Sequence, residues 1–325
     1  MTTSANWPVA ASGGKPQADV TVEPNGPVAC AEASLVNSAR TVVGTVLEDA
    51  GFLVRPDGAL FVVLHRPVDR PPSGLLTVCS SLFAEQHTDY RREVCLARLL
   101  ASAGVAVARF HYRSLGNSAP GPASLDAFTQ DALDVTQAAQ RLTSASRVAF
   151  LGVGVGSLVA SRAWLAHPDA PLLLWKPVID GAQYFRNLFR ARLIAATRAR
   201  GPRPAATDEL LAKLVDEGHA DVMGFTVTAS LYASLVASRL TETLPGQPRR
   251  ILLQPFRGAR ATSVERLAAD WRARGCLVDL QPVKLAEDPW YIPDGAAVAA
   301  SVHDTEEQFM ANARDWLLSS WESGE

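Results

Sequence analysis

The feature most suggestive of chemistry is a glycine-rich turn. Residues 152–156 read Gly-Val-Gly-Val-Gly and stand between an apolar run at 147–151 and a helical pattern at 157–166. A sharp turn from a strand into a helix needs glycines, because the backbone and the helix approach closely there. In turns of the form Gly-x-Ser-x-Gly the middle residue is the nucleophile. Here it is Gly154, which has no side chain, so an ordinary serine nucleophile is not expected.

Two other interpretations of this turn stay open. Gly-x-Gly-x-Gly is similar to part of the dinucleotide-binding pattern Gly-x-Gly-x-x-Gly, but the turn follows a late strand and no acidic residue stands at a strand end about 20 positions on. The turn could also be a strand–helix connection without any chemistry.

The elements that position this turn alternate between strands and helices. Strands are predicted at 75–79, 105–110, 147–151, 171–175, 250–254 and 277–283, after an antiparallel hairpin at 42–54 and 59–65. Helices are predicted at 87–103, 124–143, 157–166, 263–274 and 304–318, the first with Tyr90, Val94 and Ala97 on its apolar face. This alternation predicts an α/β fold with a mostly parallel central sheet flanked by helices.

The pattern is interrupted once. Residues 180–245 contain helical stretches and no strong strand, which predicts a helical cap inserted over the sheet. The core would then comprise 41–179 and 246–325. Residues 1–40 are predicted to form a flexible N-terminal tail, since the segment 1–27 is small, polar and rich in Pro and Gly.

Composition excludes several classes of protein. Apolar residues make up 48%, charged residues 20%, and the net charge is −2, with arginines scattered and offset by acids. We therefore expect a globular protein that binds no nucleic acid. No apolar run reaches the roughly 18 residues of a membrane span, and no signal peptide is evident, so we predict a cytoplasmic protein. A homodimer is a candidate assembly.

At this point the chain resembles a known family. Residues 50–318 look like the α/β-hydrolase superfamily, and they are most similar to the hydrolase-like proteins associated with exosortase A systems. The resemblance rests on the order of four segments, which are the loop 81–86 (SLFAEQ), the loop 110–118 (FHYRSLGNS), the segment 175–190 (WKPVIDGAQYFRNLFR) and the step 223–225 (MGF). It implies an α/β-hydrolase fold with a helical cap insertion.

The resemblance also implies where a Ser-His-Asp triad would stand, and this chain departs from it. The acid would follow the strand 250–254, but residues 254–260 (QPFRGAR) contain no carboxylate. The base would lie in the loop 284–290 (KLAEDPW), which contains no histidine. All three members must lie in hydrogen-bond reach of one another. With Gly154 at the nucleophile position, the triad is predicted to be lost.

Replacement groups can be proposed at the same edge of the sheet. Glu85, His111 and Asp288 are the candidate catalytic acids and bases. Each residue also has a structural interpretation. Glu85 could be a carboxylate at a helix N-terminus and His111 a hydrogen-bonded core histidine. Asp288 could be a solvated acid in a loop. Cys79 and Ser81 could be displaced nucleophiles, although Cys79 also fits a buried core position. No cluster of Cys and His suggests a metal, and no cofactor is expected.

The remaining candidates, together with Ser81, would bind a substrate. If the oxyanion hole of the fold is intact, the backbone N–H groups of Phe83 and Val155 point at one spot above Gly154. Three aromatic side chains could line the pocket, namely Trp175, Tyr184 and Trp290.

Three functions follow from this set of residues. The first is an enzyme that acts without a serine nucleophile on an apolar, carbonyl-bearing small molecule, through acid–base or proximity catalysis such as cyclisation, elimination or isomerisation. The second is a catalytically inactive binding or accessory protein. The third is a hydrolase or acyltransferase whose nucleophile has moved to Cys79 or Ser81.

Overall fold

A single nine-stranded sheet organises the chain. The computed structural model describes residues 34–198, 206–243, 247–257, 261–286 and 301–322. The sheet strands are β1 (Leu35–Val43), β2 (Val46–Leu53), β3 (Leu60–Pro67), β4 (Leu75–Cys79), β5 (Ala106–Phe110), β6 (Val148–Val153), β7 (Leu172–Trp175), β10 (Arg250–Gln254) and β12 (Leu277–Leu280). Their spatial order is β1-β2-β3-β5-β4-β6-β7-β10-β12. The pairs from β5 through β12 are parallel, and those from β1 to β5 are antiparallel. The predicted mostly parallel sheet is confirmed.

Helices cover both faces of this sheet. They are α1 (Ala84–Ser102), α2 (Leu125–Thr143), α3 (Gly156–Leu165), α7 (Ala261–Ala273) and α8 (Ser301–Glu322). Neighbouring strand residues enter different cores, since Leu75 packs with α2 and α3 whereas Leu76 packs with α1 and α8. Strands buried on both faces must be continuously apolar, which explains why they lack a period-two alternation.

The antiparallel end of the sheet differs from its prediction. The run predicted as one strand at 42–54 contains the end of β1, a turn at Gly44 and strand β2. Residues 35–40 therefore belong to the sheet rather than to the predicted tail. Every residue of β1 after Leu35 is exposed, so the strand has no buried apolar face to reveal it in the sequence.

The inserted segment between β7 and β10 is mixed in structure. It contains α4 (Gly181–Arg198), α5 (Thr207–Asp216), β8 (His219–Val222), β9 (Phe225–Thr228), α6 (Ala229–Val236) and a short 3-10 helix at Leu240–Glu242. Strands β8 and β9 form an antiparallel hairpin, which corrects the expectation of a cap without strands. Its turn is formed by Met223 and Gly224, both at positive φ. Four-residue strands are too short to give a clear alternation.

Hydrogen bonds attach this insertion to the core. Ser234 Oγ accepts from the backbone N–H of Leu125 at 2.9 Å, and Ser230 Oγ donates to the carbonyl of Ala123 at 2.8 Å. Both contacts join α6 to the start of α2. A further two-stranded pair, β11 (Phe256–Arg257) with β13 (Val283–Ala286), lies beyond β10 and β12. None of the described helices combines the length and the apolar composition needed to cross a bilayer.

Candidate functional site

The glycine turn has the geometry of an elbow between β6 and α3. A Cβ at Gly152 would lie 2.6 Å from the Cα of Ser157, and one at Gly156 would lie 2.1 Å from the carbonyl oxygen of Cys79. Both flanking positions therefore exclude any side chain. Gly154 has a φ of 55°, in the left-handed region that favours glycine.

The middle position of the elbow is different, because side chains rather than backbone surround it. A Cβ at Gly154 would lie 2.9 Å from Glu85 Oε2, 3.2 Å from Ser81 Cβ and 3.8 Å from Lys176 Cε. A carboxylate oxygen thus lies where the side chain of a nucleophilic serine would extend. The structure places Glu85 and Ser81, both candidate site residues, next to Gly154.

A buried ion pair adjoins this position. Asp89 is 1% exposed, accepts a hydrogen bond from Ser81 Oγ at 2.9 Å and pairs with Lys176 Nζ at 2.7 Å. Lys176 follows β7 at a φ of 40°, an uncommon conformation for a residue with a side chain. Its backbone N–H donates to the carbonyl of Gln254 at 3.0 Å. These contacts place one positive and two negative groups beside Gly154.

A third acid continues the series along α1. Glu85, Asp89 and Glu93 are spaced by four residues, so they share one face of the helix. We call these three residues the acid stripe. Glu93 accepts from Ser80 Oγ at 2.7 Å and lies 3.8 Å from Arg109 Nε. Burial raises the pKa of Glu93 to about 7, against the opposing effect of Arg109.

Two helix N-termini begin next to the elbow. Helix α1 starts after Phe83, and α3 starts after Val155. Both residues are almost fully buried, and Phe83 has the strained backbone angles φ 57° and ψ −142°. The free N–H groups of a helix's first turn favour negative charge. The position of Glu85 in the first turn of α1 agrees with this preference.

The cap supplies aromatic side chains to the same region. Tyr184 of α4 stacks on Phe83 with ring centroids 6.5 Å apart, and Phe225 of β9 meets Phe83 edge-on at 6.0 Å. Tyr184 is 3% exposed. The structure thus brings Phe83 and Tyr184 together, as expected of residues in one site.

Trp175 has a different role from the predicted one. Its indole Nε1 donates to Gln254 Oε1 at 2.8 Å, and its ring packs edge-on against Phe309 of α8 at 4.9 Å. These contacts make its side chain part of the core between the sheet and α8. In the sequence, an aromatic residue at a strand end looks the same whether it packs in the core or lines a pocket. The prediction that Trp175 lines the pocket was wrong for this reason.

His111 is held within its own loop. Its Nδ1 accepts from the backbone N–H of Asn117 at 3.0 Å, and its ring lies 5.0 Å from that of Phe61. Burial, aided by the nearby Arg109, lowers the pKa of His111. A Cβ at Gly116 would lie 2.3 Å from His111 Nδ1, so the loop closes tightly on the ring. The contacts of His111 are distinct from those that surround Gly154.

The displaced nucleophiles have unfavourable surroundings. Cys79 is fully buried, and burial raises the pKa of its thiol. Ser81 is also fully buried and donates its hydroxyl proton to a carboxylate. Asp288 and Trp290 lie outside the described residues, as do residues 287 and 289 of the loop 284–290, whereas 284–286 belong to β13. At the predicted acid position, Gln254 is buried and binds Trp175.

Sequence reasoning missed Asp89, Glu93 and Lys176. A signal for the acids was present, since they continue the buried face that Leu96 and Leu100 define at helical spacing. The apolar face predicted for this helix was rotated relative to the face that is buried, because it included Tyr90, which is 42% exposed. No group of three or more Cys, His, Asp or Glu among the described residues could hold a metal ion.

Comparison with known proteins shows the fold and nothing finer. No protein-family model and no curated protein matches the chain. Est1E from Butyrivibrio proteoclasticus superimposes with a TM-score of 0.56 at 15% identity, covering 84% of this chain and 99% of that one. In a second structure Est1E holds ferulic acid.

Two further solved structures agree. A proline iminopeptidase of Mycobacterium smegmatis has a TM-score of 0.53 at 14% identity, covering 85% of this chain and 100% of that one. An alpha-beta hydrolase from Vibrio vulnificus has a TM-score of 0.51 at 15% identity, with coverages of 85% and 81%. The sheet order, the glycine elbow and these likenesses together show that the chain has the α/β-hydrolase fold.

Proposed function

We propose that this chain is an enzyme that works without a serine nucleophile, and that Glu85 is its acid–base group. The observation that carries the proposal is the position of the Glu85 carboxylate, 2.9 Å from where a Cβ at residue 154 would stand. The fold directs its chemistry to this position, and here a carboxylate occupies it. The substrate would be an apolar small molecule that bears a carbonyl group.

The proposed chemistry begins with proton transfer. Glu85 takes a proton from the carbon beside the carbonyl, and the N–H groups of Phe83 and Val155 stabilise the charge that develops on the carbonyl oxygen. Return of the proton to another carbon completes an isomerisation, and departure of a leaving group completes an elimination. Attack of the carbanion on a second carbonyl of the same molecule closes a ring.

Neighbouring groups would position the base. The ion pair between Lys176 and Asp89 keeps a positive charge beside the site, and Ser81 is fixed by its hydrogen bond to Asp89. A glycine at 154 leaves room for the Glu85 carboxylate, which lies where a serine side chain would extend. A serine there would have its Cβ 2.9 Å from Glu85 Oε2, so Gly154→Ser is expected to displace Glu85 and abolish ligand binding and activity.

A second candidate function is a catalytically inactive protein that binds a ligand or a partner. One observation favours it, namely that Ser81, Asp89 and Lys176 pair with one another in almost complete burial. Such an arrangement can be purely structural. The third candidate, a displaced nucleophile at Cys79 or Ser81, is disfavoured by the burial of both residues.

Hydrogen–deuterium exchange into carbonyl compounds distinguishes these functions without knowledge of the natural substrate. The protein is incubated in D2O with a panel of apolar ketones and esters, and exchange beside the carbonyl is followed by NMR. Aromatic acyl compounds come first, because Est1E holds ferulic acid. The wild-type chain should promote exchange, and Glu85→Gln should lower it by about 100-fold or more. The exposed Glu265 provides the matched control Glu265→Gln, which should change nothing.

Other outcomes would reject the proposal. Compounds that bind, as seen by a thermal shift, but do not exchange would support the inactive binding protein. A covalent adduct of a fluorophosphonate at Ser81 or of iodoacetamide at Cys79 would support the displaced nucleophile. We also propose that the chain is related to the exosortase-associated hydrolase-like proteins, lies in the cytoplasm and forms a homodimer.

A further inference from the structure

Helix α4 of the cap presents an exposed series of positive charges. Its eighteen residues, Gly181–Arg198, contain no Asp or Glu. Arg186 and Arg190 are exposed, and Ile194 is 37% exposed. These three residues are spaced by four and therefore lie on one helical face. We call them the arginine stripe, and Arg198 follows at the same spacing.

The opposite face of α4 is fixed in the protein. Tyr184, Phe185, Leu188 and Phe189 are all buried, and Phe185 meets Tyr232 of α6 edge-on at 4.8 Å. The helix is therefore amphipathic and its polar face is held towards the outside. The expectation that scattered arginines are offset by acids does not hold for this helix.

No ion pair within the described chain engages the stripe, although the charge of Asp180 acts on Arg186 without pairing with it. Arg186 donates only to Gln183 Oε1, a neutral amide oxygen, at 3.2 and 2.8 Å. Asp180 itself pairs with Arg239 at 3.1 Å. Among the described residues neither Arg186 nor Arg190 has such a carboxylate partner. Exposed cations that form no ion pair are available to an external anion.

We propose that the arginine stripe docks the cap onto the anionic headgroups of a lipid membrane surface. The position of Ile194 selects lipid over other anions. An exposed aliphatic side chain among cations gains by entering the boundary between headgroups and acyl chains. A soluble polyanion offers no such apolar environment. This inference is independent of the chemistry proposed at Gly154.

Co-sedimentation with lipid vesicles tests the proposal. The full chain should bind vesicles that contain phosphatidylglycerol and should not bind vesicles of phosphatidylcholine alone. Each arginine contributes about five-fold to such binding, so the double variant Arg186→Gln/Arg190→Gln should bind about 25-fold more weakly. Added salt should weaken the wild type strongly and the double variant little. Ile194→Ser should also weaken binding to vesicles.

A charge-matched control uses two exposed arginines, Arg266 of α7 and Arg274 of the turn that follows it. Arg266→Gln/Arg274→Gln removes the same charge and should bind as the wild type does, and thermal melting of each variant checks that it is folded. Failure to bind phosphatidylglycerol, equal binding to neutral vesicles, or equal loss in the control pair would overturn the proposal. Binding to soluble polyphosphate that Ile194→Ser leaves unchanged, without binding to vesicles, would instead assign the stripe to a soluble polyanion.

Discussion

The most quantitative prediction concerns Glu93, the buried third member of the acid stripe. Glu93→Gln replaces a titrating carboxyl by an amide of the same shape, which resembles the protonated acid. The amide can still accept the hydrogen bond from Ser80. Arg109 faces the same oxygen at 3.8 Å in the wild type, and Asp89 and Lys176 are the other charged groups that act on Glu93.

The magnitude follows from the pKa of this carboxyl in the folded protein. Burial raises it from 4.5 to about 7. Between these two values the folded state holds a proton that the unfolded state has lost, so the free energy of unfolding falls as the pH rises through this range. The difference corresponds to about 3 kcal/mol. The Gln variant has no titrating proton at this position, so its free energy of unfolding does not fall for this reason.

Urea unfolding followed by tryptophan fluorescence at pH 4 to 8 measures the effect. We expect the stability of Glu93→Gln, relative to the wild type, to increase by about 3 kcal/mol between pH 4 and pH 8. Other groups also titrate in this pH range, such as the buried His65, whose pKa is lowered to about 4. They titrate in both proteins, so their effects largely cancel in the difference in the free energy of unfolding. The exposed Glu265→Gln serves as the control and should show no such trend.

A stability difference that stays constant over this pH range would refute the reasoning, because Glu93 would then titrate alike in both states. A difference of opposite sign would mean that Arg109 outweighs burial and stabilises the ionised form.

Two further predictions concern packing. Gly156→Ala should destabilise the fold by about 3 kcal/mol, since its Cβ would lie 2.1 Å from a backbone carbonyl, whereas Gly121→Ala, whose nearest contact is 3.6 Å, should be nearly neutral in thermal melting. Asp131→Asn should cost about 3 kcal/mol in urea unfolding, because it removes the buried charge that faces Arg113 at 2.6 Å and Arg55 at 2.9 Å, and an unchanged midpoint would show that other acids compensate.

The sheet could be predicted because buried parallel strands have a simple signature. The runs at 75–79, 171–175 and 250–254 are mostly apolar without a period-two alternation, are largely buried and match strands β4, β7 and β10. Strand β1 and the hairpin β8–β9 could not be recognised in this way. The first is exposed almost throughout, and the second is too short to show a period.

The candidate site was predictable only in part. Glycine spacing identified Gly154, and the loop before α1 identified Glu85 and Ser81. Asp89 continues the buried face of α1, but Lys176 stands in no pattern of its own, and an ion pair between residues 87 positions apart depends on the tertiary fold. The cap residues that meet Phe83 were largely missed for the same reason, with Tyr184 as the exception.

The most direct test of the central claim is an experimental structure with an apolar carbonyl compound bound. We expect the carbonyl oxygen to lie about 3 Å from the backbone nitrogens of Phe83 and Val155, with the Glu85 carboxylate in hydrogen-bond reach of the ligand. A ligand bound elsewhere, with Glu85 still covering Gly154 and paired only within the protein, would contradict it.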